Sequence, residues 1–186
     1  MAGSKYLPIL LIVVLFLAVV AASTACQAGS DARRAEDTEQ RSGSKSTGGW
    51  HVVRTINPQG GADAISIMHT ADTSRSDLDF AGLMIRCRDG RAEVVIVIIR
   101  PLPPLARPQV VFGPPGNETQ LEATVAPPGT AIVLPTDATT LITGSWQSLN
   151  DLSIRVDEGP ATIRGVIVLA GLQAAFNELV ASCPSR

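Results

Sequence analysis

The chain is poor in the residues that most often carry chemistry. Only 4% of its 186 residues are aromatic, and it holds two His and three Cys. Two isolated histidines, His51 and His69, and scattered cysteines do not supply the three or four workably spaced ligands of a metal site. Neither histidine stands in a recognisable frame beside a nucleophile, so no Cys–His or Ser–His arrangement is visible. The net charge is −2, and the basic footprint of a nucleic-acid binder is missing. Scarce rings also argue against a sugar site walled by aromatic faces. Aliphatic residues are plentiful instead, which points to a core of Val, Ile and Leu.

The first 26 residues differ from all that follow. MAGSKY carries one Lys and the free amine, Leu7 to Ala22 is continuously apolar, and Ser23-Thr24-Ala25-Cys26 follows. This order is that of a secretory signal peptide. The apolar run is slightly short of the ~20 residues that span a bilayer. Ordinary cleavage after Ser-Thr-Ala, leaving Cys26 a free thiol, is one alternative to lipidation, and an uncleaved anchor stretched to Cys26 is a weaker one. The small residues before Cys26 resemble the lipobox of bacterial lipoproteins, which implies acylation of that cysteine. Residues 27–49 are rich in Ser, Gly, Asp, Arg, Glu and Thr, cannot offset their ordering entropy, and read as a disordered tether.

The remainder, 50–186, has the size of one domain. Trp50–Ile56 and Ala62–Thr70 read as strands. In Ala81–Arg88, alternation sets Leu83, Ile85 and Cys87 on one face and Met84, Arg86 and Arg88 on the other. Asp89-Gly90 then signals a tight hairpin. The returning strand, Ala92–Arg100, holds six consecutive apolar residues, Val94 to Ile99, as expected of a central strand covered on both sides. Further strands are expected at Pro108–Phe112, in TQLEATV and GTAIVLP, at Asp151–Val156 and at Pro160–Leu169, with a turn at Asp157-Glu158-Gly159. Asp137 is placed to cap a short helix ending near Gly144. Finally, Leu169, Leu172, Phe176, Leu179 and Cys183 recur at helical spacing. The expected fold is mainly β: an antiparallel, sandwich-like domain of seven or eight strands with a C-terminal helix packed on the sheet.

Taking Cys26 as the lipid carrier leaves Cys87 and Cys183, an even pair in an exported, oxidising setting. A bridge between them closes a loop worth ~4–5 kcal/mol by the chain-entropy model. Cys87 as an activated thiolate is the competing reading, but its flanking arginines point to the opposite face. Carboxylate pairs Asp77/Asp79 and Asp157/Glu158 sit in polar, turn-like stretches where solvated acids are commonplace. Arg86, Arg88 and Arg91, with Arg100 further on, remain as a basic stripe for an acidic partner or an anionic glycan, weighed against a solvated face paired with nearby acids.

The stretches LMIRCRDGRAEVVIV and GVIVLAGLQAAFNELVASC, together with Trp50, Gly171-Leu172 and Cys183, resemble the VasI/TagO family of exported bacterial proteins associated with type VI secretion. The resemblance implies an accessory role without an enzymatic activity, and partners among envelope or secretion-apparatus proteins. The expected protein is therefore exported, without cofactor or metal, and held at the periplasmic side of a membrane through an N-terminal lipid or anchor. A periplasmic module that binds an anion or cell-wall glycan through the arginine face is the alternative.

Overall fold

The computed structural model describes residues 45–57, 60, 63–114 and 116–183. The expected signal sequence, Cys26 and most of the expected tether (27–44) lie outside them. Among the described residues eleven strands form, mostly where β-branched residues alternate with smaller or polar ones. They are β1 (Lys45–Thr47), β2 (Trp50–Thr55), β3 (Ala64–Thr70), β4 (Phe80–Arg88), β5 (Arg91–Ile98), β6 (Gln109–Phe112), β7 (Thr119–Glu122), β8 (Thr124–Ala126), β9 (Ala131–Val133), β10 (Asp151–Glu158) and β11 (Ala161–Val168). Among the described residues two helices join them, α1 (Thr139–Thr143) and α2 (Leu172–Ser182). No helix among the described residues is long and apolar enough to cross a membrane.

The strands make two antiparallel sheets, one of seven in the order β1-β2-β3-β4-β5-β9-β8 and one of four in the order β11-β10-β6-β7. Alternation decides what each presents inward. Val52, Ile65, Ile67, Leu83, Ile85, Val94 and Ile96 of the large sheet join Val110, Ile154, Val156, Ile163 and Ile167 of the small one in a single core. The buried face of α2, Leu172, Ala175, Phe176 and Leu179, belongs to the same core. The fold is thus the mainly β, antiparallel arrangement with a packed C-terminal helix that the sequence implies.

The β4–β5 hairpin closes at Asp89 (φ 53°) and Gly90 (φ 77°), with Arg88 opposite Arg91. Positive φ at both positions is the two-residue turn that matches strand twist, and Asp-Gly suits it. Cys87 and Cys183 are bridged, with Cα atoms 5.6 Å apart and 96 residues of separation. Such bridges persist in oxidising compartments, in keeping with export.

Four expectations are corrected. The tether was expected to reach Gly49, yet Lys45–Thr47 pairs with Trp50–Val52 as an edge strand, because a hairpin at Gly48-Gly49 feeds directly into β2. The turn between β10 and β11 is Gly159-Pro160 rather than Asp157-Glu158-Gly159, since Glu158 still pairs with Ala161. Asp137 caps nothing with its side chain: Pro135 opens a single 3-10 turn at Thr136–Ala138 that leads into α1. The Val94–Ile99 run is not buried throughout, as Ile99 is 62% exposed. Val95 is fully buried but stands outside the core cluster, between its cross-strand partners Met84 and Val133.

Candidate functional site

One face of the large sheet is given to the core. The register sets Val53, Met68, Met84, Val97 and Val133 on the other, alongside Ser66, Arg86 and Glu93. Those aliphatic residues belong to no part of the core cluster and are half-buried, around Val95, which is fully buried. At the hairpin end of this face lie the arginines singled out by the sequence. Arg86 donates from Nε to Oε2 of Glu93 at 2.6 Å, across a directly opposed pair. Arg88 reaches the other oxygen of Glu93 at 3.7 Å and Asp89 at 4.0 Å, and is 62% exposed. Arg91 has no acid at ion-pair distance among the described residues. Arg100 stands apart, at the far end of β5, paired with Asp79 at 2.9 Å.

The strand geometry therefore gathers Arg86, Arg88 and Arg91 and leaves Arg100 out. Glu93 neutralises Arg86 closely and Arg88 loosely. Exposed pairs at such distances contribute little to stability, so Arg88 and Arg91 stay available to an outside anion.

The other candidates have internal partners. Asp77 accepts the backbone N–H of Arg164 at 2.7 Å, and Asp157 accepts from Arg155 and from the Thr162 hydroxyl. His69 leans on the Trp50 ring at 5.2 Å and donates from Nδ1 to the Thr70 carbonyl. His51 is exposed. No group of three or more His, Cys, Asp or Glu is placed to hold a metal among the described residues.

Two features escaped the sequence reading. A hollow of about 270 Å³ on the small sheet is lined by Arg75, Arg155 and Arg164 together with Glu118 and Ser153. Arg75 bonds Asp72 and Asp151, each at 2.7 Å, while Arg155 pairs with Asp157 and Glu118. Two guanidiniums, Arg75 and Arg155, pair with four carboxylates there, so these pairs form a structural clamp with no surplus positive charge of their own. The Ser74 hydroxyl and Arg75 guanidinium, with the Ser74 N–H, lower the Asp72 carboxyl to about 2. The carboxylates in turn raise the Arg75 guanidinium above its ordinary range. The same loop covers the edge of β11: Asp72 N donates to Val166 O and Asp77 N to Arg164 O, both at 2.9 Å. Such cover blunts an edge otherwise open to stray pairing.

The second feature is a groove of about 520 Å³ beside the start of α2, lined without any ionisable side chain. Gln147 donates to Gln173 and Gln173 to Asn177, both at 3.0 Å. Neither cluster was foreseeable, because each joins residues from distant parts of the chain.

No family model and no curated protein matches this chain. Among solved structures, the chain is similar to invasion-associated protein B from Bartonella henselae. The two share 15% identity, the match covers 74% of this chain and 96% of that one, and the TM-score is 0.46. So distant a likeness carries no functional argument.

Proposed function

We propose that this protein is a non-enzymatic component of the cell envelope that works by protein–protein contact. The contact surface is the outer face of the large sheet, at its hairpin end. The observation that carries this reading is the pairing of a half-buried aliphatic band with Arg88 and Arg91, cations that are loosely paired or unpaired among the described residues. An aliphatic patch rimmed by charge is the composition of a docking surface. The finer assignment, accessory to a type VI-like secretion apparatus, rests on the resemblance of the Leu83–Cys87 strand and the Gly171–Cys183 helix to the VasI/TagO family. Anchoring at the periplasmic side through Cys26 belongs to the same proposal.

The test is made in the native host. Arg88→Glu with Arg91→Glu, at unchanged protein level, is expected to abolish release of the apparatus's tube protein into the medium. Unchanged release would overturn the assignment. Arg91 also supports the alternative of an anion- or cell-wall-glycan-binding module. Under that reading, the same variant loses retention on purified cell wall while tube release continues.

A further inference from the structure

β5 is paired along its whole length on one side and along only part of it on the other. Its β4 partners serve Arg91 to Ile98, whereas β9 serves Val95 to Val97. One more bond follows, from Leu134 N to Val94 O at 3.0 Å. The chain then meets Pro135, which has no N–H to continue the ladder, and turns away into Thr136–Ala138.

Bonding direction alternates along a strand. Ile98 N donates to Thr130 O, and Val94 O accepts from Leu134 N, so the even-numbered residues of β5 bond towards β9. Ala92 belongs to that series. Its N–H and C=O face a stretch of sheet edge that no described strand occupies. A hollow of about 820 Å³ opens there, lined by Arg88, Asp89, Arg91, Ala92, Glu93, Leu134 and Thr136.

We infer that this notch receives an extended acidic peptide segment of a partner protein. The segment adds a short strand to β5 at Ala92 and sets its carboxylates against Arg91 and the exposed side of Arg88. Unpaired edge groups are satisfied by another chain's backbone, and side chains at alternate positions supply the selectivity. Charge complementarity selects an acidic segment. Three guanidiniums, Arg86, Arg88 and Arg91, stand here with two carboxylates: Glu93 is held by Arg86 and Arg88 and Asp89 lies 4.0 Å from Arg88, whereas Arg91 has no acid at ion-pair distance among the described residues. Guanidinium also suits carboxylate, because it can donate two parallel hydrogen bonds. This inference rests on the contact reading above and gives the partner its chemistry.

The experiment uses the purified full chain and a short fluorescein-labelled peptide of alternating glutamate and valine, read by polarisation. A twin with lysine for glutamate is the control. Two variants separate the two halves of the inference: Arg88→Glu/Arg91→Glu removes the charges, and Ala92→Pro removes the edge donor while keeping the charges. Proline is tolerated where a strand N–H faces outward, and circular dichroism with a thiol count checks the fold. The acidic peptide is expected to bind the wild type, and each variant to bind about tenfold more weakly or worse.

Wild-type affinity retained in Ala92→Pro would refute strand addition and leave the arginine surface standing. Equal binding by all three proteins, or none by the wild type, would overturn the notch altogether. Amide exchange gives a reading independent of any variant: the Ala92 N–H slows when the peptide is added. An unchanged Ala92 rate alongside observed binding places docking elsewhere and refutes the inference.

Discussion

Loss of the Cys87–Cys183 bridge provides the sharpest stability test. The bridge closes 96 residues of separation, and the chain-entropy relation assigns such a loop about 4.7 kcal/mol at 25 °C. A folded part of this size melts with an entropy of ~0.3 kcal/mol/K, so the midpoint should fall by about 16 °C. The helix that the bridge holds has its own attachment: Leu172, Ala175, Phe176 and Leu179 are all buried in the common core. Arg54 adds a bond from its guanidinium to the Ser182 hydroxyl at 3.2 Å. Reduction should therefore leave α2 docked and act chiefly through the unfolded chain. Thermal melts of the wild type, with and without reductant, and of Cys87→Ser/Cys183→Ser measure the shift by circular dichroism. Free thiols at both positions in the oxidised protein, or a midpoint change within about 3 °C, would refute the reasoning. Loss of the helical signal on reduction below the melt would refute docking of α2 by packing.

Four further outcomes are expected. Gly165→Ala drives a methyl into the Phe80 ring and should cost about 1–3 kcal/mol in urea unfolding, with part recovered when Phe80 is also cut to Leu; additive effects would deny the contact. Leu179→Ala removes a fully buried side chain of α2 and should cost about 2–5 kcal/mol, read in the same assay. The Asp72 carboxyl is held down at about 2 against an ordinary value near 3.8, so the folded state binds this proton less tightly than the unfolded one. The stability it lends is complete above pH ~4 and is lost as pH falls towards ~2; a carboxyl titration by NMR with a midpoint near 3.8 would contradict this. Mass spectrometry of the mature N-terminus should show acylated Cys26, and an unmodified peptide beginning there or later removes the lipid anchor.

Local patterns carried much of the fold. Alternation in Leu83-Met84-Ile85-Arg86-Cys87 placed the cysteine inward and the arginine outward, and Asp89-Gly90 set the hairpin; both are decided within a few residues. The period of Leu172, Phe176 and Leu179 likewise set the buried face of α2. What depended on distant partners was hidden. Lys45-Ser46-Thr47 has no apolar pattern, and only pairing with β2 makes it a strand. β7 and β8 read as one short run, but buried Ala123, whose N–H bonds Pro108 O at 2.9 Å, carries the chain from one sheet to the other. The site was half legible: strand alternation grouped the arginines, while the absence of a β9 partner for Ala92 follows from register and from Pro135.

Photo-crosslinking in the native envelope tests the central claim most directly. A photoreactive residue at Met84, on the outer face of the large sheet, is compared with one at Gln120 on the small sheet. The account predicts a discrete protein adduct at Met84, identified as an envelope or secretion-apparatus component, that is absent at Gln120 and lost with Arg88→Glu/Arg91→Glu. Equal adducts at both positions, or adducts to glycan alone, would contradict it.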